Sequence, residues 1–210
     1  MRSDGRGDRT GAETGTRRTE GYDMTGVDAF LGRLDPEVYV VTAAAGGERA
    51  GCLVGFASQC SIDPLRFVVW LSKVNRTFRV AGRADRLAVH LLARDQYALA
   101  ELFGGGTGDD GVDKFAHVPC TRRQDGAVVL DDAPAWFVGR IVLRTDGGDH
   151  VGFVLEPVES GGRAGRDEQE EPGEQGERGE PPEAGEQGGR RVPLLRLTDA
   201  AAISPGHPVG

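Results

Sequence analysis

Apolar and polar positions follow two different periods along this chain. Apolar residues recur at helical spacing between Val27 and Leu34, and Thr25 offers a cap, so a short first helix is predicted before Pro36. From Val38 onward, short runs of β-branched and aromatic residues are separated by turn residues, which is typical of strands. The predicted strands span residues 38–42, 50–58, 67–72, 87–93, 127–130, 136–145, 151–158 and 194–198.

The turns and helices of this pattern indicate the fold class. Residues 146–148, Asp-Gly-Gly, lie between two long predicted strands, where glycine tolerates the positive φ of a tight reversal. After the first helix, two more helices are predicted, one started by Asn75 or Thr77 and one capped by Asp95, and neither lies between parallel strands. We therefore predict a mainly β protein, an antiparallel and Greek-key-like barrel with a few peripheral helices.

Two polar segments fall outside the strand pattern. Residues 1–24 carry mixed charge without an apolar period, and residues 160–191 are rich in Gly and Glu. Neither segment can bury enough apolar surface to offset its ordering entropy. We predict a disordered N-terminal tail over 1–24, a folded domain over 25–159, a disordered acidic insertion over 160–191, and a terminal strand with a tail over 192–210.

Charge and cysteine content exclude several classes of function. The net charge of −8 at pH 7 opposes binding of nucleic acid, which needs a basic surface. Cys52, Cys60 and Cys120 have no C-x-x-C spacing, so we predict neither a zinc site nor a disulfide framework, and a cytoplasmic location fits best. No apolar run approaches the roughly 20 residues that cross a bilayer, so no membrane partner is expected.

Residues 51–77 concentrate side chains suited to a flat ring and a phosphate. Gly51, Gly55, Ala57 and Ser58 would let a ring approach backbone amides, although a strand bend explains them equally well. After an apolar strand, hydroxyls, an amide and cations meet at a strand-to-helix junction, which favours a phosphate. These residues are Ser72, Lys73, Asn75, Arg76 and Thr77; simple N-capping of a helix is the alternative explanation.

The order of these motifs resembles the flavin reductase-like family of FMN-binding split barrels. Residues 51–64, G-C-L-V-G-F-A-S-Q-C-S-I-D-P, followed by S-K-V-N-R-T at 72–77, carry the resemblance. L-A-V-H-L-L at 87–92, the K-F pair at 114–115 and G-D-H at 148–150 extend it over approximately residues 30–158. The resemblance implies an FMN-binding split β-barrel.

The resemblance also implies a set of site residues. The implied flavin contacts are Val54, Gly55, Ser58, Gln59 and Ser61, and the implied phosphate contacts are Ser72, Lys73, Asn75, Arg76 and Thr77. Lys114 is expected to offset phosphate charge. His150, in its G-D-H context, is expected to act near the flavin and the nicotinamide and is the candidate catalytic residue.

The function implied by the resemblance is NAD(P)H-dependent reduction of FMN, or electron transfer through bound FMN, serving a partner monooxygenase. FAD in place of FMN, and NADH or NADPH as cosubstrate, stay open. A deazaflavin-dependent oxidoreductase and a non-catalytic flavin-binding module are the alternatives. The family pairs its subunits, so a homodimer is expected; Trp136, Val138 and Val142 could form that contact or pack within one subunit.

Overall fold

The computed structural model describes residues 25–106, 111, 113–162, 192–204 and 206. The predicted tail over 1–24 and nearly all of the predicted insertion lie outside the described residues. The chain divides into two compact units, one up to Leu34 and one from Asp35 onward. The first unit contains α1 (Thr25–Leu31), which confirms the predicted first helix.

The second unit is built on a seven-stranded sheet in which every neighbouring pair is antiparallel. Its strands are β1 (Tyr39–Ala45), β2 (Glu48–Val54), β3 (Ala57–Ser61), β4 (Arg66–Ser72), β5 (Arg86–Leu91), β8 (Trp136–Asp146) and β9 (His150–Gly161), while β6 (Cys120–Arg122) and β7 (Val128–Leu130) form a separate pair. The hydrogen-bonded order is β2-β1-β5-β8-β9-β4-β3. This antiparallel sheet confirms the mainly β fold.

The helices of the second unit are short and peripheral: α2 (Arg76–Ala81), α3 (Tyr97–Gly105) and a 3-10 helix (Lys114–His117). Asn75 caps α2, because its side-chain oxygen accepts the Thr77 backbone N–H at 2.9 Å. The prediction that Asp95 caps α3 is wrong. Gln96 is the N-cap, and its side chain instead bonds the Ala93 N–H and the Asp132 carbonyl, tying the helix start to two loops.

The chain changes its strand partner where a single strand, 50–58, was predicted. β2 pairs with β1 and ends at Val54, whereas β3 begins at Ala57 and pairs with β4. The interruption falls at Gly55 and Phe56. The strand bend that the sequence left open at Gly55 is present, but the sequence pattern does not show that the hydrogen-bonding partner changes there.

The predicted terminal strand over 194–198 is reduced to two isolated bridges. Leu194 bridges to Ala93, and Arg196 bridges to Glu37. Between them Leu195 is buried and hydrogen-bonds Val38 and Leu92 through its backbone, so this segment joins the start of β1 to the end of β5. β9 also extends to Gly161, so the first residues of the predicted insertion belong to a strand.

Apolar residues on the two faces of the sheet form separate cores, because side chains alternate along each strand. Val41 lies in the cluster that includes α2, and neighbouring Val40 lies in the cluster that includes α3. Trp136 and Val138 are buried in a third cluster, so these two residues pack within the subunit. Val142, the other proposed contact residue, is exposed.

Among the described residues, no helix is both long and apolar enough to cross a bilayer.

Candidate functional site

A cleft of about 550 Å³, here called the main cleft, opens between β2, β4, α3 and the segment after residue 192. Its walls are largely apolar and include Val54, Trp70, Leu197 and Ile203. Its polar lining residues are Ser72, Lys73, Asn75, Asp149 and His150. Binding sites for small molecules are commonly apolar clefts of about 300–1,000 Å³ with a few polar groups, and this cleft has both properties.

Pairing of β4 with β9 brings two separate sequence motifs together at the polar end. Ser72 lies opposite His150 in the ladder, and the Lys73 backbone N–H donates to the Asp149 carbonyl at 2.9 Å. Lys73 Nζ also donates to the Asp146 carboxylate at 2.8 Å. The S-K-x-N-R-T and G-D-H motifs therefore form one continuous surface.

The β8–β9 turn presents His150 to the main cleft. Gly148 has φ of +105° and its N–H donates to Asp146 Oδ1 at 2.8 Å, as expected of the predicted Asp-Gly-Gly reversal. His150 Nδ1 lies 2.9 Å from Asp149 Oδ1, and this hydrogen bond holds the pKa of the Asp149 carboxyl below its usual value. A carboxylate oxygen can only accept, so Nδ1 carries the proton of this hydrogen bond.

A second cleft of about 400 Å³, here called the charged cleft, adjoins the main cleft. The two share Val74, Asn75, Phe103 and Gly104 as lining residues. The charged lining residues are Glu48, Arg49, Arg76, Asp113 and Lys114. Arg76 pairs with Glu48 and Arg49 pairs with Asp113, with closest N–O distances of 2.9 and 2.8 Å.

Lys114 is a buried cation at the charged cleft. Its Nζ donates to the backbone carbonyls of Gly51 at 3.2 Å and Phe103 at 3.0 Å, and so links β2 to α3. Burial lowers the pKa of the ammonium group, since the charged form loses solvation. Both acceptors are uncharged carbonyls, so neither offsets the positive charge of the ammonium group. This suits a cleft that accepts an anion.

The two clefts collect most of the site residues predicted from sequence. Val54, Gly55, Ser72, Lys73, Asn75 and His150 line the main cleft, and Asn75, Arg76, Thr77 and Lys114 line the charged cleft. Thr77 is almost fully buried. Ser58, Gln59 and Ser61 lie on β3, the end strand of the sheet, and line neither cleft.

Sequence reasoning missed the residues that complete the main cleft from elsewhere in the chain. Leu197, Ala200 and Ile203 line it from the segment after the insertion, and Trp70 lines it from β4. Leu197 lies so close to Gly55 that a Cβ on that glycine would come within 3.1 Å of the leucine methyl group. The predicted strand character of 194–198 was the only sequence signal, and it did not locate these residues at a site.

The residues of the main cleft fit a flavin. A flat tricyclic ring needs apolar surfaces on its faces and hydrogen-bonding groups on its edge, and the cleft supplies both kinds of group. Gly55 lines the cleft just after β2, and Leu197 lies against it at the position that a side chain would take. Among the described residues, no cluster of His, Cys, Asp and Glu could hold a metal ion.

Comparison with known proteins identifies the domain. The family model described as a flavin reductase like domain matches residues 31–175, which is more than half of the chain. The chain belongs to the flavin reductase-like domain family. An NADH-dependent FMN reductase of Streptomyces nodosus subsp. asukaensis is 30% identical over 148 residues, which cover 70% of this chain and 80% of that protein.

Other relatives of this flavin reductase-like chain are matched over part of their length. An NADH FMN reductase of Variovorax paradoxus is 31% identical over 120 residues, covering 57% of this chain and 66% of that protein. A diflavin flavoprotein of Synechocystis sp. is 25% identical over 59% of this chain. The chain spans less than a quarter of the length of the diflavin flavoproteins that it matches.

Solved structures share the fold at lower identity. An FMN-binding protein from Thermus thermophilus has a TM-score of 0.60 at 22% identity, covering 79% of this chain and 82% of that chain. An NADH:FAD oxidoreductase of Streptomyces globisporus has a TM-score of 0.59 at 24% identity, covering 66% and 82%. A nitrilotriacetate monooxygenase component B from Mycobacterium thermoresistibile has a TM-score of 0.57 at 22% identity, covering 65% and 77%.

Proposed function

We propose that this protein binds FMN across the two clefts and reduces it with NADH or NADPH. The observation that carries the proposal is the junction of the clefts at Asn75, where an apolar ring-sized space meets cationic side chains. The names of the Streptomyces nodosus and Variovorax relatives support FMN and NADH. FAD is the alternative flavin, supported by the name of the Streptomyces globisporus structure.

The phosphate of FMN belongs at the charged cleft in this proposal. Arg76 carries a planar guanidinium that can bond two phosphate oxygens at once, and Lys114 contributes a buried positive charge. Asn75 lines both clefts, Ser72 and Lys73 line the main cleft, and these side chains can bond the ribityl chain or the phosphate. Thr77 stabilises the site from within the core, because its side chain is buried.

The isoalloxazine ring belongs in the main cleft, with its edge near the backbone of Val54 and Gly55. The bound flavin supplies the redox chemistry, since it accepts a hydride from the nicotinamide. The contribution of the protein is to orient the two partners, which is worth up to roughly 7–11 kcal/mol in favourable cases. His150 lies at the open polar end, where its Asp149-held ring can bond and orient the nicotinamide.

A matched pair of variants tests the phosphate site. Arg76→Ala removes the guanidinium of the charged cleft, whereas Arg79→Ala removes one from the same helix outside both clefts. We expect Arg76→Ala to weaken FMN binding about tenfold or more while riboflavin, which lacks the phosphate, binds as before. Fluorescence titration measures both affinities, and Arg79→Ala should leave both near the wild-type values.

Steady-state NADH oxidation in the presence of FMN distinguishes a flavin reductase from a non-catalytic flavin-binding module. An enzyme consumes NADH, whereas a non-catalytic flavin-binding module binds FMN without turnover. A protein that binds a deazaflavin and not FMN would be the deazaflavin-dependent oxidoreductase. The proposed function is overturned if the wild-type protein binds neither FMN nor FAD.

We also propose that the protein forms a homodimer and delivers reduced flavin to a monooxygenase. In a single subunit Ser58, Gln59 and Ser61 lie on an end strand and line neither cleft, so a second subunit is what could place a flavin against them. The name of the Mycobacterium thermoresistibile structure supports the monooxygenase partner. Sedimentation velocity of the purified protein should give the mass of two chains; a monomer at micromolar concentration would contradict the dimer.

A further inference from the structure

We propose that Glu48 is a specificity-determining residue that competes with the flavin phosphate for Arg76 and keeps the flavin exchangeable. This inference rests on the proposed function, because it concerns the phosphate end of the same site. Glu48 opens β2, and its side chain lines the charged cleft together with Arg76.

The Glu48 carboxylate bridges two arginines of the α2 region. Its Oε1 accepts from Arg76 Nε at 3.1 Å and Nη2 at 2.9 Å, and its Oε2 accepts from Arg83 Nη2 at 2.5 Å. Hydrogen bonding from Arg83, with that from Arg76, lowers the pKa of the Glu48 carboxyl, so the group is ionised at neutral pH. The charged cleft therefore contains an ionised Glu48 carboxylate that is hydrogen-bonded to Arg76, the cation expected to bind the phosphate.

The contact uses the part of Arg76 that a phosphate would use. Nε and one Nη form the edge of a guanidinium that takes a carboxylate or a phosphate with two parallel hydrogen bonds. A phosphate must either displace Glu48 from this edge or share the guanidinium with it, at the cost of repulsion between like charges. Glu48 is also held in the same chain, so it competes at a high effective concentration.

The opposite role for Glu48 makes the opposite prediction. If Glu48 held Arg76 in the orientation that phosphate needs, removing its charge would loosen the arginine and weaken FMN binding. If Glu48 competes, removing its charge strengthens FMN binding. The sign of the change in FMN affinity therefore distinguishes competition from positioning.

The consequence of competition is a flavin that can leave. A reductase that serves a separate acceptor must release its reduced flavin, and a phosphate site of full strength would retain it. Because Glu48 does not line the main cleft, where the ring is proposed to bind, it weakens the phosphate contribution alone. Riboflavin, which has the ring without the phosphate, should be indifferent to it.

The experiment compares Glu48→Gln with Glu156→Gln. Glu156 is a matched control because it also pairs with two arginines, Arg66 and Arg140, but lies on β9 and lines neither cleft. FMN and riboflavin affinities are measured by fluorescence titration at low and high salt. We expect Glu48→Gln to bind FMN about three- to tenfold more tightly at low salt, less so at high salt, with riboflavin unchanged.

Glu156→Gln should leave both affinities unchanged. Glu48→Ala is the second variant, for use if thermal unfolding shows that Glu48→Gln is poorly folded. It should show the same gain in FMN affinity. Weaker FMN binding, unchanged FMN binding, or an equal change for FMN and riboflavin would each overturn the inference while leaving the proposed function standing. Absence of flavin binding by the wild-type protein would overturn both.

Discussion

His90 is a fully buried histidine whose protonation state is set by its hydrogen bonds. Its Nε2 accepts the Leu130 backbone N–H at 3.1 Å, so that nitrogen is unprotonated and Nδ1 donates to the Val40 carbonyl at 2.9 Å. The ring thereby joins the central strands β5 and β1 to the small β6–β7 pair. Burial lowers the pKa of His90 to about 4.

This low pKa predicts a loss of stability in mild acid. Above pH 6.5 the ring is neutral in both states, but between pH 6.5 and about 4 the unfolded chain gains a proton that the folded protein excludes. As the pH falls, the free energy of unfolding should decrease by up to about 1.4 kcal/mol per pH unit. The total loss from His90 should be on the order of 3 kcal/mol near pH 4. Urea unfolding at a series of pH values measures this fall.

His90→Asn is the variant that isolates the histidine, because asparagine can donate and accept hydrogen bonds without titrating. Other groups also titrate in this range, so the informative quantity is the difference between the two proteins. The wild-type curve should be steeper than that of His90→Asn between pH 6.5 and 4. Parallel curves would show that another group carries the pH dependence.

His150 offers a separate prediction about the reaction rate. If His150 orients the nicotinamide, His150→Ala should slow reduction of bound FMN about ten- to a hundredfold, because orientation acts on the transition state. FMN affinity should change little, since the phosphate end of the site is untouched. Stopped-flow reduction at saturating NADH measures the rate, and an unchanged rate would leave His150 without a catalytic role.

At the scale of elements, the β8–β9 hairpin is fixed by close packing as well as by turn chemistry. A Cβ built on Gly147 would lie 2.4 Å from Cζ3 of Trp70, so an alanine there cannot fit without moving the ring or the turn. Gly147→Ala should destabilise the protein by about 1–3 kcal/mol, the usual range for overpacking. Chemical unfolding measures this change.

Gly82→Ala is the control for this hairpin prediction. Its added Cβ would meet its nearest neighbour at 3.5 Å, an ordinary contact, and its backbone is right-handed. Gly82→Ala should therefore change stability far less than Gly147→Ala. Equal effects would mean that the close approach of Gly147 to Trp70 does not limit the hairpin.

Elements defined by local chemistry could be predicted from the sequence. The Asp-Gly-Gly reversal, the Asn75 cap and the strands on either side of them follow from turn propensity, capping and alternation, all of which act within a few residues. The partner change at Gly55 could not be predicted. It depends on which distant strand is available for pairing, and β4 is that strand only after the sheet has formed.

The residues of the candidate site also divide into those that a sequence motif reveals and those that only the folded structure brings to the site. Asn75 and Arg76 are neighbours in sequence, so their motif was visible, whereas Leu197 reaches the main cleft from beyond the predicted insertion. Glu48 belongs to no motif, and its significance appears only when β2 places it against Arg76. Sequence alone recovers the local half of such a site and misses residues that long-range pairing delivers.

For the whole molecule, the boundaries of the predicted insertion follow from packing at its two ends. Before it, a Cβ on Gly161 would come within 2.7 Å of the Trp136 ring, and one on Gly162 within 2.2 Å of the Pro134 carbonyl. After it, Leu195 is buried and Leu197 lines the main cleft. Residues 160–162 before the insertion and residues 192–204 after it are therefore part of the folded unit.

Replacing residues 163–191 with a flexible Gly-Ser link of about ten residues should preserve the fold and the flavin site. Loop closure entropy changes only slowly with length, by about 0.6 kcal/mol per doubling, so a shorter link should leave stability unchanged or slightly raised. Thermal unfolding and FMN titration measure both properties. A control variant that replaces residues 160–191 with the same link also loses the packed end of β9, so it should be less stable than the first variant. Equal stability of the two variants would show that Gly161 and Gly162 contribute nothing to stability. Loss of folding in the first variant would show that residues 163–191 are structural.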